Sequence, residues 1–103
     1  MIEISEVKYG IWGNCVRLCD GKSELLATLD FGPRIIKFSA LGKENIFFED
    51  KNDVINASSY EAESKKLFGD EHGVWHIKGG HRLWISPEIV PDTYYPDNEP
   101  VTY

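Results

Sequence analysis

A chain of 103 residues with 42% hydrophobic side chains has the length of one small domain. It can bury a modest core, roughly 65% of its unfolded surface, which excludes disorder along the whole length. Its formal charge of −6 opposes phosphate backbones and anionic lipid, so nucleic acids and membrane surfaces are poor partners.

Glu3 and Glu6 stand where a secretory signal would carry basic residues, and no apolar run approaches the ~20 residues of a transmembrane helix. The expected location is cytoplasmic. From Ile2 to Phe48 short runs of β-branched, aromatic and aliphatic residues are cut by turn residues at roughly ten-residue spacing, an all-β rhythm. Residues 2–9 precede Gly10 and Gly13, and residues 14–19 end at Asp20-Gly21, a hairpin signal. Residues 24–29 end near Gly32-Pro33, residues 34–40 end at Gly42, and residues 45–48 run into acids. Leu25, Ala27 and Leu29 share one face of the third run, and Ile36, Phe38 and Ala40 one face of the fourth. These strands should have one buried side. Cys15 and Cys19 lie in the second run, where a rise of ~3.3 Å per residue sets their Cα atoms about 13 Å apart. A disulfide needs less than about 7 Å, so both read as thiols and small buried hydrophobes.

Ser58-Ser59-Tyr60-Glu61 forms a capping box and Gly69 a stop, which predicts a short helix over residues 59–67. Beyond it the chain is aromatic and glycine-punctuated, with two extended segments around Gly79-Gly80. Pro87, Pro91, Pro96 and Pro100 accompany Glu88, Asp92, Asp97 and Glu99. That composition excludes a central strand or a helix and predicts an extended loop lying on another surface. His72, His76 and His81 invite a metal reading. In strands, however, residues four apart are too distant to meet one ion, and no phosphate loop, HExxH or CxxC is present. No metal and no cofactor is expected.

Residues 79–88 carry the densest chemistry. In a strand His81, Leu83 and Ile85 point one way and Arg82, Trp84 and Ser86 the other. Arginine beside tryptophan suits a polyhydroxylated ligand, because an indole packs on the C–H side of a sugar while a guanidinium bonds its hydroxyls. The competing arrangement puts Trp84 in the core and pairs Arg82 with a carboxylate of the acidic tail. In Asp30-Phe31-Gly32-Pro33-Arg34 a tight turn holds Arg34 at the start of the next strand, either as a surface residue or as a ligand contact.

Four stretches together resemble a bacterial family related to galactose mutarotase. They are Asp30-Phe31-Gly32-Pro33-Arg34-Ile35-Ile36-Lys37-Phe38; Gly42 with Asn45-Ile46-Phe47; Gly79-Gly80-His81-Arg82-Leu83-Trp84 with Pro87-Glu88; and Thr93-Tyr94-Tyr95-Pro96-Asp97-Asn98-Glu99-Pro100-Val101. The match spans nearly the whole chain from Asn14 onward. It implies a mainly β fold whose antiparallel strands form part of a galactose-mutarotase-like β-sandwich, with one short helix. Residues 1–103 would then be a single partial domain, the N-terminal third of the family's length. The resemblance also implies a carbohydrate-binding protein related to aldose 1-epimerases, with a sugar or sugar derivative as ligand. Arg34 and His81 resemble the arginine and histidine with which such proteins hold a sugar. In that chemistry a base removes the anomeric O–H proton while an acid protonates the ring oxygen.

Here His81 is the candidate acid, Glu88 the candidate base, Arg34 and Arg82 candidate hydroxyl clamps and Trp84 the stacking platform. The resemblance places the family's own acid and base beyond Tyr103, so the chain should be catalytically incomplete. The alternative is a non-catalytic interaction module or split-gene fragment that assembles through its sheet edges. A third of a sandwich leaves an apolar sheet face without its partner layer, and a homo-oligomer is expected.

Overall fold

The computed structural model describes residues 1–50, 66, 75, 77–84, 86–90 and 92–103. Strands β1 (Glu3–Lys8), β2 (Asn14–Cys19), β3 (Ser23–Thr28), β4 (Arg34–Ala40) and the short β5 (His81–Arg82) form one open antiparallel sheet in that order. Consecutive antiparallel neighbours need only tight turns, and local side chains build them. Between β2 and β3 the Asp20 carboxylate accepts the amides of Lys22 and Ser23 at 2.8 and 2.7 Å, bonds that hold its pKa below the usual carboxylate range. Between β3 and β4 the Thr28 hydroxyl donates toward the carbonyls of Phe31 and Arg34 at 2.6 and 3.3 Å. Arg34 therefore leaves the turn with its backbone held.

The register sets Ile4, Leu18, Leu25 and Phe38 in one cross-strand row, while Val7, Cys15 and Thr28 form a row on the opposite face. The core lies on that second face. Trp12, Cys15, Leu26 and Ile36 are buried together, with Val7, Tyr9 and Phe31 packed against them. Ile36 reaches it through a β-bulge. Leu26 opposes Lys37 and Ala27 opposes Ile35, so Ile36 is the extra residue of β4. The bulge splits the expected shared face of Ile36, Phe38 and Ala40. Ile36 is fully buried, a contribution of about 1.5–3 kcal/mol for such a side chain, whereas Phe38 is exposed. In β3 the alternation is as expected, but Leu26 and Thr28 are the buried residues while Leu25, Ala27 and Leu29 are half-buried.

Two other expectations are corrected. Residues 45–48 run beside β4 without joining its ladder, because one side chain substitutes for the backbone pairing. Asn45 Oδ1 accepts the amides of Phe38 and Phe47 at 3.1 and 3.0 Å, and its Nδ2 donates to the Ile36 carbonyl at 2.8 Å. The proline-rich tail is not extended: Asp92–Asn98 is a 3-10 segment containing Pro96. That geometry accepts a proline φ near −65° and loses one donor. Glu99 N–H to the Pro96 carbonyl, 3.0 Å, closes its last turn, and Val101 N–H reaches the Leu29 carbonyl at 2.7 Å. The tail does lie on the sheet, as its composition required.

The helix expected over residues 59–67 lies outside the described residues, as do His72, His76 and Ile85. Cys15 and Cys19 are buried thiols. Burial, helped by the Asp30 charge, pushes Cys15 up to about 11. Among the described residues no helix is long and apolar enough to cross a membrane.

Candidate functional site

The tail meets the sheet at one carboxylate. Asp97 is 1% exposed, and it accepts Arg34 Nη2 at 3.1 Å, Arg82 Nε at 2.7 Å and the Trp75 indole N–H. A buried carboxylate survives only with such partners, and they arrive from β4, from β5 and from residue 75. Arg34 Nη1 donates also to the Gly79 carbonyl, and Arg82 Nη2 to the Thr93 carbonyl. Burial holds the Arg34 guanidinium below its ordinary pKa; Asp97 opposes that shift and the like charge of Arg82 adds to it.

Arg82 is held on both faces. Its guanidinium carbon lies 4.4 Å from the Trp84 ring centroid and 4.6 Å from that of Tyr94, a double cation–π stack. Tyr94 also packs edge-on against Trp75 at 5.2 Å and donates its hydroxyl to Glu88 Oε2 at 2.7 Å. Burial, and then the bond to Glu88, raise the Tyr94 pKa. Beside this stack is a cleft of about 530 Å³ whose walls include Pro33, Leu83, Trp84 and Pro96, with Arg82, Asp92 and Asp97 as its charged members. That volume is within the ~300–1,000 Å³ of small-molecule sites. Trp84 is 49% exposed, so its indole is available to a ligand.

Arg82 and Trp84 come together as the sequence suggested. Leu83, expected on the opposite face, lines the same cleft because β5 ends at Arg82 and strand alternation ends with it. Arg82 does pair with a tail carboxylate, as in the competing arrangement, yet Trp84 does not fill the core. Arg34, expected as a hydroxyl clamp, is 5% exposed with both η nitrogens engaged inside the protein, by the Gly79 carbonyl and Asp97. His81 is exposed on β5 opposite Ile35 and is not among the residues lining the cleft. Glu88 is exposed and connects to the site through the Tyr94 hydroxyl. The residues that sequence reasoning missed are Asp97, Trp75 and Tyr94. The one legible signal, for Asp97, was the need of two arginines, at the start of β4 and the end of β5, for a carboxylate that neither strand supplies.

A second cleft of about 590 Å³ is lined in part by Tyr9, Lys37, Lys43, Asn45, Phe47 and Glu49. Several of its polar groups are engaged within the protein. Glu49 accepts Tyr9 Oη at 2.7 Å, Trp12 Nε1 at 2.9 Å and Asn45 Nδ2 at 2.8 Å, while Lys37 bonds Glu24 at 2.6 Å. Among the described residues no group of three His, Cys, Asp or Glu side chains is placed to hold a metal ion.

Fold and site together define a class: an antiparallel meander sheet with an aromatic-walled cleft where an acidic tail is locked to its edge. Scans of protein-family models, curated proteins and solved structures found no match to this chain.

Proposed function

We propose that the cleft at Arg82 and Trp84 binds the ring of a sugar or sugar derivative, in a protein related to the aldose 1-epimerases and sharing part of their sandwich fold. The observation that carries this reading is the half-exposed Trp84 indole beside a guanidinium immobilised by Asp97, Thr93 and two aromatic rings. A sugar's C–H face needs a fixed flat apolar wall, and its hydroxyls need donors and acceptors that do not have to be ordered on binding. Trp84 is the wall, Arg82 the donor, and Asp92 on the rim an acceptor. Among the described residues Arg82 Nη1 makes no hydrogen bond and faces no other claim.

Recognition rather than turnover is the activity of this chain in our reading. Neither His81 nor Glu88 lines the cleft, and epimerisation needs an acid at the ring oxygen and a base at the anomeric hydroxyl at once. The test is titration with glucose, galactose and their oligosaccharides followed by tryptophan fluorescence, with Trp84→Phe as control. The reading predicts a saturable change lost in Trp84→Phe, and no acceleration of mutarotation in a polarimeter. A saturable change that persists in Trp84→Phe contradicts the assigned platform, and mutarotation abolished by His81→Ala would make the chain an enzyme.

A further inference from the structure

The cluster beside the cleft carries more positive than negative charge. Arg34 and Arg82 share the Asp97 carboxylate, and their other hydrogen bonds go to the carbonyls of Gly79 and Thr93, which bear no net charge. Two guanidiniums against one carboxylate leave an excess of one positive charge among the described residues. The Arg34, Arg82 and Asp97 side chains are 6%, 13% and 2% exposed, so water neutralises little of it, and a charge held out of water without a partner is costly. Arg34 has no route to a ligand, since both η nitrogens are engaged and its Nε is buried with no hydrogen bond among the described residues. Arg82 has one, because it lines the cleft and its Nη1 makes no hydrogen bond among the described residues.

Resting on the reading of this cleft as a sugar site, we infer that its preferred ligand is a uronate, a sugar acid whose carboxylate supplies the missing negative charge at Arg82 Nη1 while its ring lies on Trp84. The charge count selects the carboxylate. Its single negative charge equals the excess, and a charge-assisted hydrogen bond is roughly twice as strong as a neutral one. A phosphate ester carries about 1.5 to 2 negative charges at pH 7, more than the excess, and would bring the remainder against Asp92 and Asp97 on the same cleft wall. An amino sugar adds a positive charge where one is already in surplus, and like charges brought together weaken binding. Asp92 is exposed and lines the cleft. It repels a carboxylate and accepts hydroxyls, so it turns the acid end of the ring toward Arg82 and leaves the hydroxyls to itself.

Calorimetric titration of the whole chain with the uronate, the neutral sugar and the amino sugar of the gluco and galacto series, at about pH 6 where the acid is ionised and the amine protonated, tests this. The expected order in the series that binds is uronate about tenfold tighter than neutral sugar and amino sugar weakest, with every affinity falling in Trp84→Ala. Raised NaCl should narrow the gap between uronate and neutral sugar, and Arg82→Gln, in a preparation with native far-UV circular dichroism, should close it. A neutral sugar that binds through Trp84 with its uronate no tighter overturns the inference and leaves the sugar reading standing. No binding in either series, or uronate binding unaltered in Trp84→Ala, overturns both. A hexose phosphate tighter than the uronate overturns the choice of a carboxylate, and a gap that persists in Arg82→Gln overturns its placement at Arg82.

Discussion

Asp97 and Glu49 are both carboxylates that accept three side-chain donors among the described residues, one of them a tryptophan indole, yet they do different work. Among the described residues the side-chain donors on Glu49 are neutral: Tyr9, Trp12 and Asn45. Two of the three on Asp97 are guanidiniums. Around Glu49 the partners are themselves committed, Asn45 to the β4 backbone and Tyr9 to the carboxylate, so the cluster pins a loop across the core. Around Asp97 two cations share one anion, and Arg82 is left fixed in place with hydrogen-bonding capacity beyond the cluster. A carboxylate in a fold can therefore close a structure or hold a binding group ready, according to what its partners still have to offer. The two clusters are joined at Gly79. Its backbone bridges Glu49, and its carbonyl accepts Arg34.

The comparison breaks most visibly at Asp97. Asp97→Ala leaves the buried Arg34 guanidinium and the half-buried Arg82 guanidinium without their shared anion, a change that for a buried pair typically costs about 3–5 kcal/mol, and urea denaturation should show loss of much of the stability of so small a chain. Gly79→Ala comes next. Gly79 has φ of 103° and a Cβ there would stand 2.1 Å from the Phe48 carbonyl oxygen, so backbone strain of about 1–3 kcal/mol adds to a clash with backbone. Denaturation midpoints should fall in both clusters at once, read from Trp12 and Trp75 fluorescence. Glu49→Gln removes charge but keeps shape, and its expected cost is about 1–2 kcal/mol by the same assay.

Alkaline pH separates the clusters without mutation. Tyr9 is pushed up to about 12 by burial and then by its bond to Glu49, and Cys15 to about 11 by burial. Both values are raised. Each group therefore contributes stability that is complete below its unfolded pKa and is lost as pH climbs through the folded value. Stability should decline from pH 9 to 11 through Cys15 and from pH 10 to 12 through Tyr9, and Tyr9→Phe should flatten the upper part of that curve. Trp84→Ala has the smallest effect on folding, since the ring is half in solvent, within about 0.5 kcal/mol of a surface substitution. It should nevertheless abolish ligand-induced fluorescence change.

Much of the sheet was legible. The runs at residues 14–19 and 34–40 coincide with β2 and β4, because β-branched and aromatic residues bounded by Asp-Gly and Gly-Pro leave little choice. The bulge at Ile36 was not, since nothing in Ile35-Ile36-Lys37 marks the inserted residue. It is set by which isoleucine fits beside Leu26. Residues 45–48 read as strand because their apolar content resembles one, while the decisive group was the amide of Asn45. In the site, Arg82 and Trp84 were visible from their chemistry and spacing. Asp97 was hidden among tail acids of identical appearance, and only the fold shows which of them two arginines select. Arg34 looked like a ligand contact for the same reason: a sequence shows an arginine held by a turn, and not that a carboxylate 63 residues later occupies it.

The most direct test of the cleft as a sugar site is the set of three tryptophan indole N–H signals in a ¹H–¹⁵N spectrum, assigned with Trp84→Phe, as a monosaccharide is added. Trp12 Nε1 is tied to Glu49 and Trp75 Nε1 to Asp97, whereas Trp84 faces the cleft. The account predicts a saturable shift of the Trp84 signal, a smaller one at Trp75 and none at Trp12. A shift confined to Trp12, or no shift of Trp84 at saturating sugar, would contradict it.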